Sequence, residues 1–177
     1  GNSFEDAKAR IRAIMSAEAI RHSYLKNSDK LEESEKKYLL KLMNCILEPM
    51  DITDSLAILT SLLCKHYNRK VILLVDEYDV PLDKAFLNGY YNDMVGFIRT
   101  FLGGALKTND NTEFAVVTGC LRISKESIFT GLNNFSTFTI TDDLFSQYFG
   151  FTDAEVKEML DYYGVSDYYS TAKDWYD

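Results

Sequence analysis

Cysteine, histidine and clustered positive charge are scarce in this chain, and each scarcity closes off a class of function. Three cysteines in 177 residues, Cys45, Cys64 and Cys120, lie far apart, form no Cys-x-x-Cys pair and have no histidine at ligand spacing. That pattern argues against a zinc site and predicts buried free thiols in a reducing compartment. The two histidines, His22 and His66, stand isolated in the sequence with no partner motif, which argues against a catalytic or metal role for either. No apolar run approaches the roughly 20 residues that cross a bilayer. The first residues form a charged helical pattern rather than a signal peptide, so a cytoplasmic protein with no membrane partner is expected. Lysine and arginine do not gather into one stretch, and the formal charge is -8 with a pI near 4.8. That balance argues against a broad positive surface for wrapping a nucleic-acid backbone and leaves a small local patch, and with it nucleic acid as a partner, open.

What is present points to one soluble domain with a core. Apolar residues make up 46% and charged residues 26% of the chain, and the aromatic share of 14% is above ordinary. The chain is organised around Val71-Ile72-Leu73-Leu74-Val75-Asp76-Glu77-Tyr78-Asp79. Five consecutive aliphatic residues predict a short strand buried on both faces, as in the centre of a parallel sheet. Ligands of open α/β sheets bind outside the carboxyl ends of the strands, which is where Asp76 and Glu77 fall. An apolar strand ending in Asp-Glu has the form of the Walker B element of nucleotide hydrolases. There one carboxylate holds a hydrated Mg²⁺ beside the phosphates and the next orients the attacking water. The same residues also fit an ordinary strand that runs into a polar loop.

Helical periodicity surrounds that strand. Ala7, Ile11, Ile14 and Met15 predict an amphipathic helix from Phe4 to about Tyr24, and Leu31, Tyr38, Leu39, Leu42 and Ile46 mark one face of a second, with Asp29 and Glu32 as its capping box and Pro49 as its end. A third helix, capped by Asp51 or Thr53, carries Leu56, Leu59, Leu62 and Leu63 to near Asn68. Beyond the acids, 81–89 reads as a loop or short helix. A long helix through Tyr91, Met94, Phe97, Ile98, Phe101 and Leu102 then ends at Gly103-Gly104 or continues to Lys107. Phe114 to Gly119 predicts a second apolar strand, parallel to the first through a crossover helix. Thr118 would then sit beside Asp76, either as a turn residue or as a sensor bonded to a γ-phosphate. Residues 121–134 lack a strong period, and Arg122 and Lys125 are either phosphate-facing cations or solvated charges. Phe138-Thr139-Ile140 is a third strand candidate. Thr152 and Glu155 form a capping box for a helix that Gly164 stops, and the Tyr-rich tail around Trp175 predicts a last helix.

VILLVDEYDVPLDKA, then FAVVTGCLRISKESIFTGLNNFS, then YFGFTDAEVKEMLDYYG together resemble the AAA-ATPase-like family of bacterial proteins, a P-loop branch often joined to a PD-(D/E)XK nuclease-like domain. The resemblance covers about Asp51 to Asp177. It implies a partial P-loop NTPase, an AAA-like three-layer α/β fold with a mostly parallel sheet and a C-terminal helical part. Residues 1–150 would form the incomplete core with its N-terminal helices, and 151–177 the start of the helical part. It also implies Mg²⁺ and ATP as ligands of the parent protein. Asp76 would be the Mg²⁺-associated acid acting through water, Glu77 the water-orienting acid, Thr118 the nucleotide-contacting sensor and Arg122 the phosphate-facing cation. Tyr78 and Asp79 share the motif without a derivable role.

The sequence departs from the family in one respect. A P-loop ATPase needs GxxxxGK[ST] to hold the β- and γ-phosphates, and no such stretch occurs in these 177 residues. The chain thus reads as a piece cut at both sides, with Gly1 left by tag removal. Such a piece is expected to bind ATP weakly, to be inactive alone, and to close the gap in its sheet by rearrangement or self-association. The alternative is a non-catalytic scaffold module regulating an attached nuclease-like domain. A third reading takes Asp76, Glu77 and Asp79 as a phosphodiesterase metal site, but further ligands at convincing spacing are lacking.

Overall fold

A computed structural model describes residues 2–46, 51–107, 109–120, 135–139, 142–148 and 150–176. It forms two compact units, Gly1–Asn133 and Asn134–Asp177. The first unit is mixed α/β. Its elements are α1 (Phe4–Arg21), α2 (Glu33–Met43), α3 (Asp51–Tyr67), β1 (Val71–Val75), α4 (Val80–Leu87), α5 (Tyr91–Leu106) and β2 (Thr112–Val117). β1 and β2 pair in parallel, with Leu73 opposite Ala115 and Val75 opposite Val117, so the crossover through α4 and α5 joins them as the sequence predicts.

The core is largely helical. α3 and α5 pack along each other. Ile52, Leu59 and Leu62 from α3 meet Met94, Ile98 and Leu102 from α5, and Ile11 of α1, Leu39 and Leu42 of α2 and Leu82 of α4 close around them. Leu73 and Val75 turn one face of the sheet toward this core. α5 continues through Gly103-Gly104 to Leu106, where Ala105 is buried and Leu106 packs against the core.

The other face of the sheet corrects the expectation of a strand buried on both sides. Ile72 is 52% and Leu74 72% exposed, and Phe114 and Val116 beside them are exposed as well. Strand side chains alternate between faces. The unbroken aliphatic run therefore supplies two apolar faces, and the described helices cover only one.

Other local differences have local causes. α1 stops at Arg21 and residues 23–27 form a 3₁₀ turn, so the first helix is shorter than its pattern suggested; within it, Ile14 is exposed and lies outside the buried stripe. The capping box of α2 is Glu32 with Glu35 rather than Asp29 with Glu32. Ile46 falls beyond the end of α2 and is exposed. Cys45 and Cys120 are exposed and Cys64 is half-buried, so the thiols are free as expected but not buried. Cys45 follows the end of α2 with a φ of 57°, outside any packed face. Pro49, Ile140, Arg122 and Lys125 lie outside the described residues.

The second unit contains a 3₁₀ helix (Asp143–Tyr148), α6 (Asp153–Tyr162), a 3₁₀ turn (Ser166–Tyr168) and α7 (Tyr169–Tyr176). The Thr152 hydroxyl accepts from the Glu155 amide while Glu155 reaches back to Thr152, which is the predicted capping box, and Gly164 follows the helix with a φ of 70°. Phe138 and Thr139 are not in a strand. The Thr139 amide and hydroxyl both donate to the Asp142 carboxylate, a local pairing that takes the place of a ladder.

Candidate functional site

The two strands end together, and the predicted acids stand at that edge. Asp76 follows β1, Thr118 follows β2, and the Thr118 hydroxyl donates to Asp76 Oδ1. Both residues are exposed, as is Glu77. Thr118 and Asp76 are thus brought together as the parallel register requires.

Backbone bonding makes this edge irregular. The Thr118 amide donates to the Val75 carbonyl at 2.9 Å, and the Thr118 carbonyl accepts from the Tyr78 amide at 3.1 Å. In a regular parallel ladder one residue bonds to two neighbours that flank a single partner. Here two residues, Asp76 and Glu77, lie between the neighbours, so Glu77 is the extra residue of a β-bulge. Its φ is 53°, in the left-handed region that costs a residue with a Cβ about 1 kcal/mol or more. A bulge breaks the alternation that would otherwise send consecutive side chains to opposite faces, and both acids remain exposed at the strand end.

The chain then turns into α4. The Val80 amide donates to the Glu77 carbonyl at 3.2 Å, and the Leu82 and Asp83 amides both donate to the Asp79 carbonyl at 2.9 Å. Pro81 lies in the first turn of this helix, where its missing amide costs nothing. Asp79 is only 4% exposed. A Cβ built on Gly119 would fall 2.7 Å from Asp79 Oδ1 and 2.7 Å from Tyr78 Cε1, so any larger residue there would force those two side chains to shift. Sequence reasoning gave Tyr78 and Asp79 no role and passed over Gly119. The available signal was a glycine next to the strand-end threonine, facing an acid placed at a helix start.

The histidines, isolated in sequence, both pack against Tyr24, with ring centroids 5.8 Å from it for His22 and 5.6 Å for His66. His22 Nδ1 is 2.9 Å from the Tyr24 hydroxyl, and His22 Nε2 is 3.2 Å from Glu18 Oε1. The Tyr67 hydroxyl donates to that of Tyr24, and His66 Nδ1 lies 2.9 Å from Ser28 Oγ. Partial burial first, then the nearby Tyr67, push the Tyr24 phenol up to about 12, so it stays neutral across the physiological range. This cluster ties the end of α1 to the end of α3. Among the described residues no group of three or more His, Cys, Asp or Glu side chains could hold a metal on its own.

A family model described as a predicted AAA-ATPase matches residues 3–129, well over half of the chain. The chain belongs to the AAA-ATPase-like family. The match takes in both strands, the acid pair, Thr118 and Gly119. The chain is also 31% identical over 88 residues to a curated protein of Azotobacter chroococcum mcd 1, named as an uncharacterized protein in the vnfD 5′ region. That alignment spans 49% of this chain and 17% of the relative. No solved structure matches. Among the described residues no helix is long and apolar enough to cross a membrane.

Proposed function

We propose that this AAA-ATPase-like chain carries the acid and sensor half of an ATP-hydrolysing site. The observation that carries the reading is the Asp76-Glu77 pair, raised on a bulge at the carboxyl end of a parallel strand, with the Thr118 hydroxyl on Asp76. The residues fit Mg²⁺, which takes hard oxygen ligands, keeps several waters and is commonly held by one or two carboxylates together with phosphate. When bound, Mg²⁺ would neutralise charge on the transferred phosphoryl group. Asp76 would hold the hydrated ion through its exposed carboxylate, oriented by Thr118. Glu77 would orient the attacking water and accept its proton. Arg122 would face the phosphate.

The chain has no GxxxxGK[ST] to cradle the β- and γ-phosphates, so tight ATP binding and turnover would require those residues from elsewhere. The exposed apolar face of Ile72, Leu74, Phe114 and Val116 supports a P-loop fold whose third layer is not among the described residues. The same face favours a second reading, an interaction module that associates with another copy or a partner.

The test is Mg²⁺-dependent phosphate release by a longer polypeptide in which a GK[ST] loop precedes this chain. Release that Asp76→Asn abolishes supports the proposal. Release that survives Asp76→Asn unchanged overturns it.

A further inference from the structure

The buried Asp79 and the crowded Gly119 do a task that the acids themselves do not. Val75 is fixed by its pairing with Val117, and Tyr78 is fixed by its amide on the Thr118 carbonyl. These two anchors leave Asp76 and Glu77 to arch over a single partner, and the arch keeps Glu77 at a φ of 53°. Nothing in glutamate favours that conformation, so the surrounding contacts must impose it. The contact just beyond the second anchor is Asp79 and Tyr78 against Gly119, close enough that one methyl group would not fit.

We infer that Asp79 and Gly119 are a positioning pair, whose packing pins Tyr78 to Thr118 and thereby holds Glu77 out of the ladder beside Asp76. This rests on the proposed hydrolytic site only for its use; the positioning itself is a statement about the bulge. The pair acts through Glu77 and touches no reacting atom. Gly119 supplies the space, since a methyl group there would push on the Tyr78 ring and the Asp79 carboxylate. Asp79 is required as the body that fills the gap, so Asp79→Asn, which keeps its size, should preserve the arrangement where Asp79→Ala does not.

Amide hydrogen exchange on this chain reads the device directly, because the Tyr78 and Thr118 amides bond on either side of the bulge. In Gly119→Ala and in Asp79→Ala, protection of the Tyr78 amide is expected to fall about tenfold or more, while the Thr118 amide and the amides of α3 and α5 change by less than about twofold. Asp79→Asn should retain protection. Adding Glu77→Gly to Asp79→Ala removes the cost of the positive φ and should restore protection of Tyr78, a rescue that general loss of packing would not show. Unchanged Tyr78 protection in both single variants overturns the inference. So does a loss that runs in step with Thr118 and the core helices, or a double variant that rescues nothing. Mn²⁺ alone, added as a paramagnetic probe, keeps the two claims apart. Broadening of the Asp76 to Tyr78 signals in the wild type that weakens in Gly119→Ala supports positioning of a metal-facing pair. A wild type without broadening accords with a carboxylate pair that needs phosphate to complete its metal site, and the exchange data then uphold or overturn the positioning by themselves.

Discussion

Glu77→Gln, introduced into a longer polypeptide that supplies the phosphate loop, is expected to lower ATP turnover by about 10²–10⁴-fold, the usual range for loss of a general base. ATP affinity should hold or tighten. The carboxamide keeps the size of the side chain and removes a negative charge from the neighbourhood of the phosphates. Glu77 is exposed and lies on the bulge, so the substitution removes no core contact and leaves the positive φ as it was. Folding stability should therefore be nearly unchanged. A fall in turnover at constant or stronger affinity means loss of an interaction made in the transition state rather than in binding. Phosphate release measured under saturating Mg·ATP decides the matter, and unchanged turnover would remove Glu77 from the mechanism.

Leu82→Ala is expected to cost about 2–5 kcal/mol, the range for truncating a large aliphatic side chain in a core. Leu82 is fully buried at the start of α4, beneath the turn that carries the acids. Leu74→Ala, two residues before Asp76, should cost under about 0.5 kcal/mol, because its side chain already meets solvent. Urea unfolding of the two variants, with the denaturant slope checked for constancy, measures both. The contrast also tests the exposed sheet face. If Leu74→Ala costs as much as Leu82→Ala, that face is covered in solution, and the sheet has a partner layer that the described residues do not supply.

The sequence carried the order of elements because each signal was local. β1 begins and ends where the aliphatic run does, α6 begins at its capping box, and the helix between two apolar strands implied parallel pairing. Placing Thr118 beside Asp76 followed from that pairing alone. What could not be read was how many residues the strand end would contain. The bulge depends on which amide meets the Thr118 carbonyl, and a run of Asp-Glu-Tyr-Asp looks the same with or without it. The importance of Gly119 likewise depends on the close approach of Asp79, 40 positions earlier, which no periodicity encodes. The histidine cluster failed to show for a similar reason, since His22 and His66 share Tyr24 only because the chain after α1 packs against the end of α3. The covering of the sheet was misread because an aliphatic run shows that two faces are apolar, not what lies against each.

Calorimetric titration of Mg·ATP into this chain and, side by side, into a longer polypeptide bearing GK[ST] upstream tests the central claim most directly. The account predicts heat of tight binding from the longer polypeptide only, with Asp76→Asn weakening the Mg²⁺-dependent part. Binding by neither, or a longer polypeptide indifferent to Asp76, would contradict it.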